Sequence, residues 1–351
     1  MVIYNLNLAL VYICGCISRI NMISGRYKIV SKILNFIMFL SMWIVAGIRY
    51  NVGTDYTLYS NYFKNINSIT LENSVMEIGY MWLNKVTNFF CDSNQIIFIV
   101  TSFITIYLVF KTILKYSKRY ELSLYLFITM YFYYSSFNIT RQYIAIAITF
   151  YAIKYIINSN FKKYIISVIV ASLFHNSALI MIPFYFILKM NINKKLVLNL
   201  TILSIISFAS IGKIINIVFT ILPRYQKYVG SSFLSQESSW MHLIVIIALI
   251  VIVLPIKNRL IIEDKKNNIY INAIIFAAIF QLLGLKTVLF SRMVMYLYIY
   301  AIILVPNILS ILNLKLRPII YLGIIVIYYA NCAVLLKTGN SEVLPYLYRL
   351  P

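Results

Sequence analysis

Apolar runs of membrane length recur along the whole chain and limit its possible folds more than any motif. They fall at about residues 2–18, 29–48, 95–114, 121–137, 141–157, 164–188, 196–218, 241–256, 269–289, 293–313 and 318–336. A helical span needs roughly 20 mostly apolar residues. Backbone N–H and C=O groups cannot face lipid unpaired, and the alternating pattern of a barrel is missing, so these runs are expected to be helices. Composition agrees: 62% of the 351 residues are hydrophobic and 11% are charged, against about 25% charged in soluble domains. The expected fold is all-α, a single polytopic bundle of ten or eleven transmembrane helices. The first run lacks a basic leader and a small-residue cleavage site, so it reads as a span rather than a signal peptide.

The formal net charge of +22 is not the mark of a nucleic-acid partner. Its lysines and arginines sit in short loops between apolar runs, as the positive-inside rule requires. The groups Arg19/Arg26/Lys28/Lys32, Lys111/Lys115/Lys118/Arg119 and Lys154/Lys162/Lys163 go inside. The N-terminus, the polar segment 49–94 and Arg141 then go outside. The run 164–188 holds His175-Asn176 in its middle. A re-entrant hairpin breaking at that pair keeps more of the later basic residues inside than one crossing does, and makes 219–240 a second external segment. A single long helix with a hydrogen-bonded histidine is the competing reading. Under the hairpin, Arg49, Arg141, Arg224 and Arg292 share the outer face, which the rule normally depletes of basic residues.

Those arginines are candidate ligands for an anion. Arg49 follows a span and opens Arg49-Tyr-Asn-Val-Gly-Thr-Asp55-Tyr-Thr-Leu-Tyr59, where an interfacial guanidinium needs something to answer its charge. Arg141-Gln142 opens an apolar helix, and a planar guanidinium forks onto phosphate or carboxylate oxygens. Arg292 lies between two runs with almost no loop. Arg141 and Arg292 could instead contact lipid headgroups. The candidate bases are His175, Asp55 and Glu77. Histidine is the usual base near neutral pH, but His175 also suits a helix–helix hydrogen bond. Asp55 could pair internally with Arg49, and Glu77 precedes an apolar stretch, 78–90, too short to span and suited to the outer leaflet. Tyr56, Tyr59 and the tyrosines near 225–228 could stack on sugars. Cys14, Cys16, Cys91 and Cys332 have no metal-ligand spacing, and no other metal motif occurs.

Taken in order, Arg49-x-x-x-Gly53-x-Asp55-Tyr56-x-x-Tyr59, Glu77-x-Gly79-Tyr80, Arg141-Gln142, Phe174-His175-x-Ser177-Ala178-Leu179, Ser291-Arg292-x-x-x-Tyr296 and Pro345-Tyr346 resemble the EpsG family of bacterial exopolysaccharide proteins. That family is related in role to the Wzy polysaccharide polymerases. The resemblance implies a multi-pass plasma-membrane glycosyltransferase that joins oligosaccharide repeat units carried on undecaprenyl diphosphate at the outer face. Arg49, Arg141, Arg224 and Arg292 would hold the diphosphate, Gln142, Tyr56 and Tyr59 would position substrate, and His175, Asp55 or Glu77 would take the acceptor proton. Diphosphate on a lipid is already an activated leaving group, so no cofactor is expected. Membrane lipids, a flippase and a chain-length regulator are the expected partners. A ligase, a lipid-linked oligosaccharide flippase and a membrane O-acyltransferase are the alternatives.

Overall fold

A computed structural model describes residues 1–24, 28–210, 212, 240–339 and 341–351. The expected helices are present, and among the described residues there is no β-strand, only an isolated antiparallel bridge between Arg49 and Tyr348. Among the described residues, six helices are long and apolar enough to cross a membrane: 2–23, 28–47, 95–116, 240–263, 267–284 and 317–337. The bent pair 290–298 and 301–311 makes a seventh if counted as one span. The protein is an all-helical, multi-pass membrane protein.

The chain divides into two compact units, 1–182 with 305–351, and 183–304. The first contains α1 (Val2–Ser24), α2 (Lys28–Gly47), α3 (Tyr56–Lys64), α4 (Ile78–Phe90) and α5 (Gln95–Tyr116). After these come α6 (Tyr120–Thr129), α7 (Phe132–Ser135), α8 (Thr140–Tyr151), α9 (Ile153–Ile157) and α10 (Phe161–Ser172). The runs 121–137 and 141–157 are thus each split into two helices. Tyr131, with φ 72° in the left-handed region, interrupts the first. Helix α1 packs on α2 and α6, α5 on α2 and α8, and α10 on α8.

The run 164–188 breaks where the sequence suggested. Helix α10 ends at Ser172, His175 is extended (φ −156°, ψ 116°), and a 3-10 turn, Asn176–Ile180, leads into α11 (Met181–Ile187). The Tyr164 hydroxyl donates to the Met181 carbonyl at 2.7 Å. Seventeen residues of straight helix would separate these groups by about 25 Å. The chain therefore doubles back, and one long tilted helix is excluded.

The second unit contains α12 (Lys194–Ala209), α13 (Trp240–Glu263), α14 (Asn267–Gly284) and α15 (Val288–Tyr298), with α14 packed against each of the other three. Asn272 donates from its amide to the carbonyls of Leu188 and Met190, at 3.0 and 2.7 Å, fixing the exit of α11 against α14. Helix α16 (Ala301–Ile311) leads back into the first unit, and α17 (Arg317–Lys337) closes it.

The C-terminal segment returns to the start of the polar segment. Tyr50 N–H donates to Leu347 O at 2.9 Å, Gly53 N–H to Glu342 O at 2.9 Å, and Arg349 N–H to Ile48 O at 2.8 Å. The Tyr4 hydroxyl reaches Val343 O at 2.8 Å. These bonds put residues 342–349 on the same side as 48–53.

Candidate functional site

Glu77 and Gly79 bring the polar segment to the break after α10. Gly79 N–H donates to Leu173 O at 2.8 Å. A Cβ on Gly79 would lie 2.7 Å from that oxygen and 2.8 Å from the Leu173 Cβ, so no larger residue fits without movement. Glu77 sits at the N-cap of α4. One of its oxygens accepts from Asn176 N–H at 3.4 Å, and the other is ion-paired with the Arg141 guanidinium. Arg141 lies in the first turn of α8, and its buried Nε has no hydrogen-bond partner. His175 Nδ1 is 2.6 Å from Ser177 Oγ, which fixes the ring plane. Three elements distant in sequence, around Glu77, Arg141 and His175, thus converge on one polar site.

Tyr59 belongs to the wall of this site rather than to a sugar-lined channel. It is buried, its ring centroid 5.5 Å from that of Tyr80. Burial raises the Tyr59 phenol above its ordinary range while nearby Arg141 opposes the shift. Tyr56 is also core: it stacks on Phe98 at 4.3 Å, and its hydroxyl meets Gln95 Oε1 at 3.1 Å. Gln142 is buried on α8. Asp55 is half-buried at the N-cap of α3.

Arg49 is placed differently from the other candidate anion ligands. It is 1% exposed. Nη1 donates to Ala46 O and to Ser102 Oγ (3.2 Å), and Nη2 to Phe137 O (3.2 Å). The guanidinium carbon lies 4.9 Å from the Phe98 ring centroid and 4.8 Å from that of Phe137. Its charge is answered by backbone dipoles and aromatic faces, and it makes no pair with Asp55. Burial pushes Arg49 down to about 10, so it remains cationic near neutral pH. Around it, Gln95 Nε2 donates to the carbonyls of Gly47 (2.7 Å) and Arg49 (2.9 Å). Gly53, at φ 102°, lets the turn fold against Asn138 and the C-terminal segment.

Arg292 lies half-buried in α15, in the second unit. Arg224, in the segment 219–240 that was expected to be external, lies outside the described residues, which resume at Trp240.

Sequence reasoning passed over Glu121. It is buried at the start of α6, 3.2 Å from Arg19 and 4.0 Å from Arg119. A single acidic residue in the otherwise basic Lys118-Arg119-Tyr120-Glu121 was the available signal.

The ordered motifs and the contacts among them are matched by a family-level comparison: the model of the EpsG family covers residues 32–348. The chain belongs to the EpsG family. The match takes in every motif quoted above, from Arg49 to Pro345-Tyr346. No curated protein and no solved structure matches the chain. Membership in the EpsG family supports a role in polysaccharide biosynthesis at a membrane.

Proposed function

We propose that this protein is a polysaccharide polymerase, joining oligosaccharide repeat units carried on undecaprenyl diphosphate at the outer face of a bacterial plasma membrane. The observation that carries the reading is the Arg141 guanidinium. It is mostly enclosed, Glu77 holds one edge, its Nε is unspent, and the His175 turn lies alongside. In this proposal Arg141 binds the diphosphate and stabilises the negative charge that grows as it leaves, with the first-turn amides of α8 adding to the same field. The anomeric carbon–oxygen bond to the carrier breaks, and the acceptor hydroxyl forms the new glycosidic bond and gives up its proton.

His175 is the best-placed base for that proton. Its ring is oriented through Nδ1 by Ser177, as a general base requires. Both Glu77 oxygens are engaged, one by Arg141 and one by Asn176 N–H, so Glu77 acts as a positioning residue. Asp55 stands at the N-cap of α3 without a side-chain capping bond, and no base role is assigned to it in this proposal. Diphosphate contact by Arg292 and Arg224 is carried in this proposal by the sequence motifs alone. Arg49 serves the fold in this proposal: it is fully buried, and although its Nε has no partner, both terminal nitrogens donate within the protein.

The test is the surface glycan of a strain lacking this protein, complemented with wild type, Arg141→Ala or Arg141→Lys and resolved on a gel. Polymerase function predicts a single-repeat band in the deletion and a ladder restored by wild type but not by Arg141→Ala. A full ladder in the deletion refutes the reading and favours a ligase or an O-acyltransferase. Loss of surface single repeats as well would favour a flippase.

A further inference from the structure

A second cluster of arginines lies at the other end of the first unit. Tyr4 of α1 bonds the C-terminal segment, and Arg19 of the same helix pairs with Glu121. Fifteen helical residues put these two positions roughly 22 Å apart. At the Arg19 end, Arg119 lies 4.0 Å from the same carboxylate, and its guanidinium carbon is 5.6 Å from the Tyr321 ring centroid. Tyr321 is four residues beyond Arg317 on α17, so the two share a helix face and Arg317 borders the group. Two arginines from separate elements thus face one buried carboxylate, and a third, Arg317, lies beside them.

Their hydrogen bonds leave much unspent. Arg317 uses only Nη2, on the carbonyls of Ser310 (3.2 Å) and Leu312 (3.1 Å), and its buried Nε has no partner. The Arg119 guanidinium, 19% exposed, makes its one ion-pair contact at 4.0 Å, beyond hydrogen-bond reach. Glu121 Oε2 is likewise unpartnered. Burial and the neighbouring Arg19 both hold Arg119 below its ordinary range, as expected of positive charge that is not fully compensated. Gly15 makes the cluster possible, since a Cβ there would come within 2.9 Å of the Glu121 Cβ. Three guanidinium charges against one carboxylate leave two in excess, where a planar fork matches phosphate oxygens.

We propose that Arg19, Arg119 and Arg317 form a binding site for a phosphate-bearing anion at the inner end of the first unit, separate from the Arg141 site. By the positive-inside assignment this end faces the cytoplasm, where either an anionic lipid headgroup or a soluble phosphate could supply the ligand. Glu121 fixes the arginines in place and limits affinity, so occupancy depends on the excess charge.

The experiment uses purified full-length protein in an uncharged detergent. Phosphatidylglycerol in mixed micelles, and separately inorganic phosphate at constant ionic strength, are titrated while bound lipid is followed by native mass spectrometry and the thermal midpoint is recorded. Arg119→Gln should weaken binding roughly tenfold or more without lowering the ligand-free midpoint, because Arg119 donates no hydrogen bond from its guanidinium. Glu121→Gln, which removes the competing carboxylate, should tighten it. Binding of phosphatidylglycerol alone identifies a lipid headgroup, and binding of inorganic phosphate identifies a soluble ligand. If neither binds, or if binding is unchanged in both Arg119→Gln and Arg317→Gln, the proposal is overturned. Glycan ladders in the same variants distinguish this site from the polymerase reading, since binding can be lost here while Arg141 remains intact.

Discussion

Replacing Arg49 by lysine separates a buried structural cation from a substrate ligand. The guanidinium donates to Ala46 O, Ser102 Oγ and Phe137 O and lies between the rings of Phe98 and Phe137. A hydrogen bond to a charged group contributes about 1.5–3 kcal/mol. An ammonium cannot span acceptors on both sides or lie flat against two rings, so Arg49→Lys keeps a desolvated charge and forfeits about two such bonds. The expected loss is roughly 3–6 kcal/mol. At about 2–4 °C per kcal/mol for 150–250 residues, the thermal midpoint falls on the order of 10 °C. Arg49→Met also strands two carbonyls but removes the charge and its desolvation cost of several kcal/mol, so methionine should be the milder change. Fluorescence-monitored melting of both variants in detergent makes the comparison. A lysine variant that melts like wild type, yet gives no glycan ladder, would show that Arg49 meets substrate and that the structural account is wrong.

The other expectations use the same assays. Gly79→Ala pushes a methyl to 2.7 Å from Leu173 O and should cost about 1–3 kcal/mol; an unchanged midpoint would mean that α4 does not dock there. His175→Gln should abolish the ladder with little change in midpoint, and a retained ladder would exclude His175 as the base. Deleting residues 341–351 removes the bonds to Tyr50, Gly53, Ile48 and Tyr4 and should lower the midpoint and expose the 49–55 turn to protease; equal protease resistance would contradict that. Gly53→Ala must hold an L-residue at φ 102° and should cost about 1–3 kcal/mol, read in the same melts.

What was legible in the sequence follows the reach of each signal. Apolar length and backbone satisfaction gave the helices, and a polar pair inside an apolar run gave the turn at His175-Asn176, because both effects are local. The meeting of Glu77, Arg141 and His175 was legible only as motif order; their contact depends on Gly79 admitting Leu173. The environment of Arg49 was not legible, since its acceptors are mostly backbone carbonyls, which every residue carries alike. Tyr56 and Tyr59 misled for a related reason: a tyrosine can face sugar or fill a core, and only neighbours such as Phe98 and Tyr80 decide. Glu121 escaped because its hydrogen-bonded partner, Arg19, lies 102 residues away in sequence.

The two arginine sites obey one electrostatic rule in opposite measure. At Arg141 a single carboxylate meets a single guanidinium, so the empty site is nearly neutral and its formation inside a membrane protein is tolerable. In the proposed reaction an incoming diphosphate carries more charge than Glu77 and would meet the edge that Glu77 leaves open, adding to the pair without dismantling it. Glu77 meanwhile keeps hold of Asn176 N–H, and with it the turn that carries His175. Removing Glu77 would free Arg141 for anions and at the same time release the proposed base from its mooring. At Arg119 the balance is reversed: one carboxylate faces two guanidinium groups with Arg317 beside them, and in the proposed site the excess is answered by an arriving anion. A site that must bind and release substrate each cycle benefits from an internal competitor, whereas a site left with excess charge is suited to retaining its ligand.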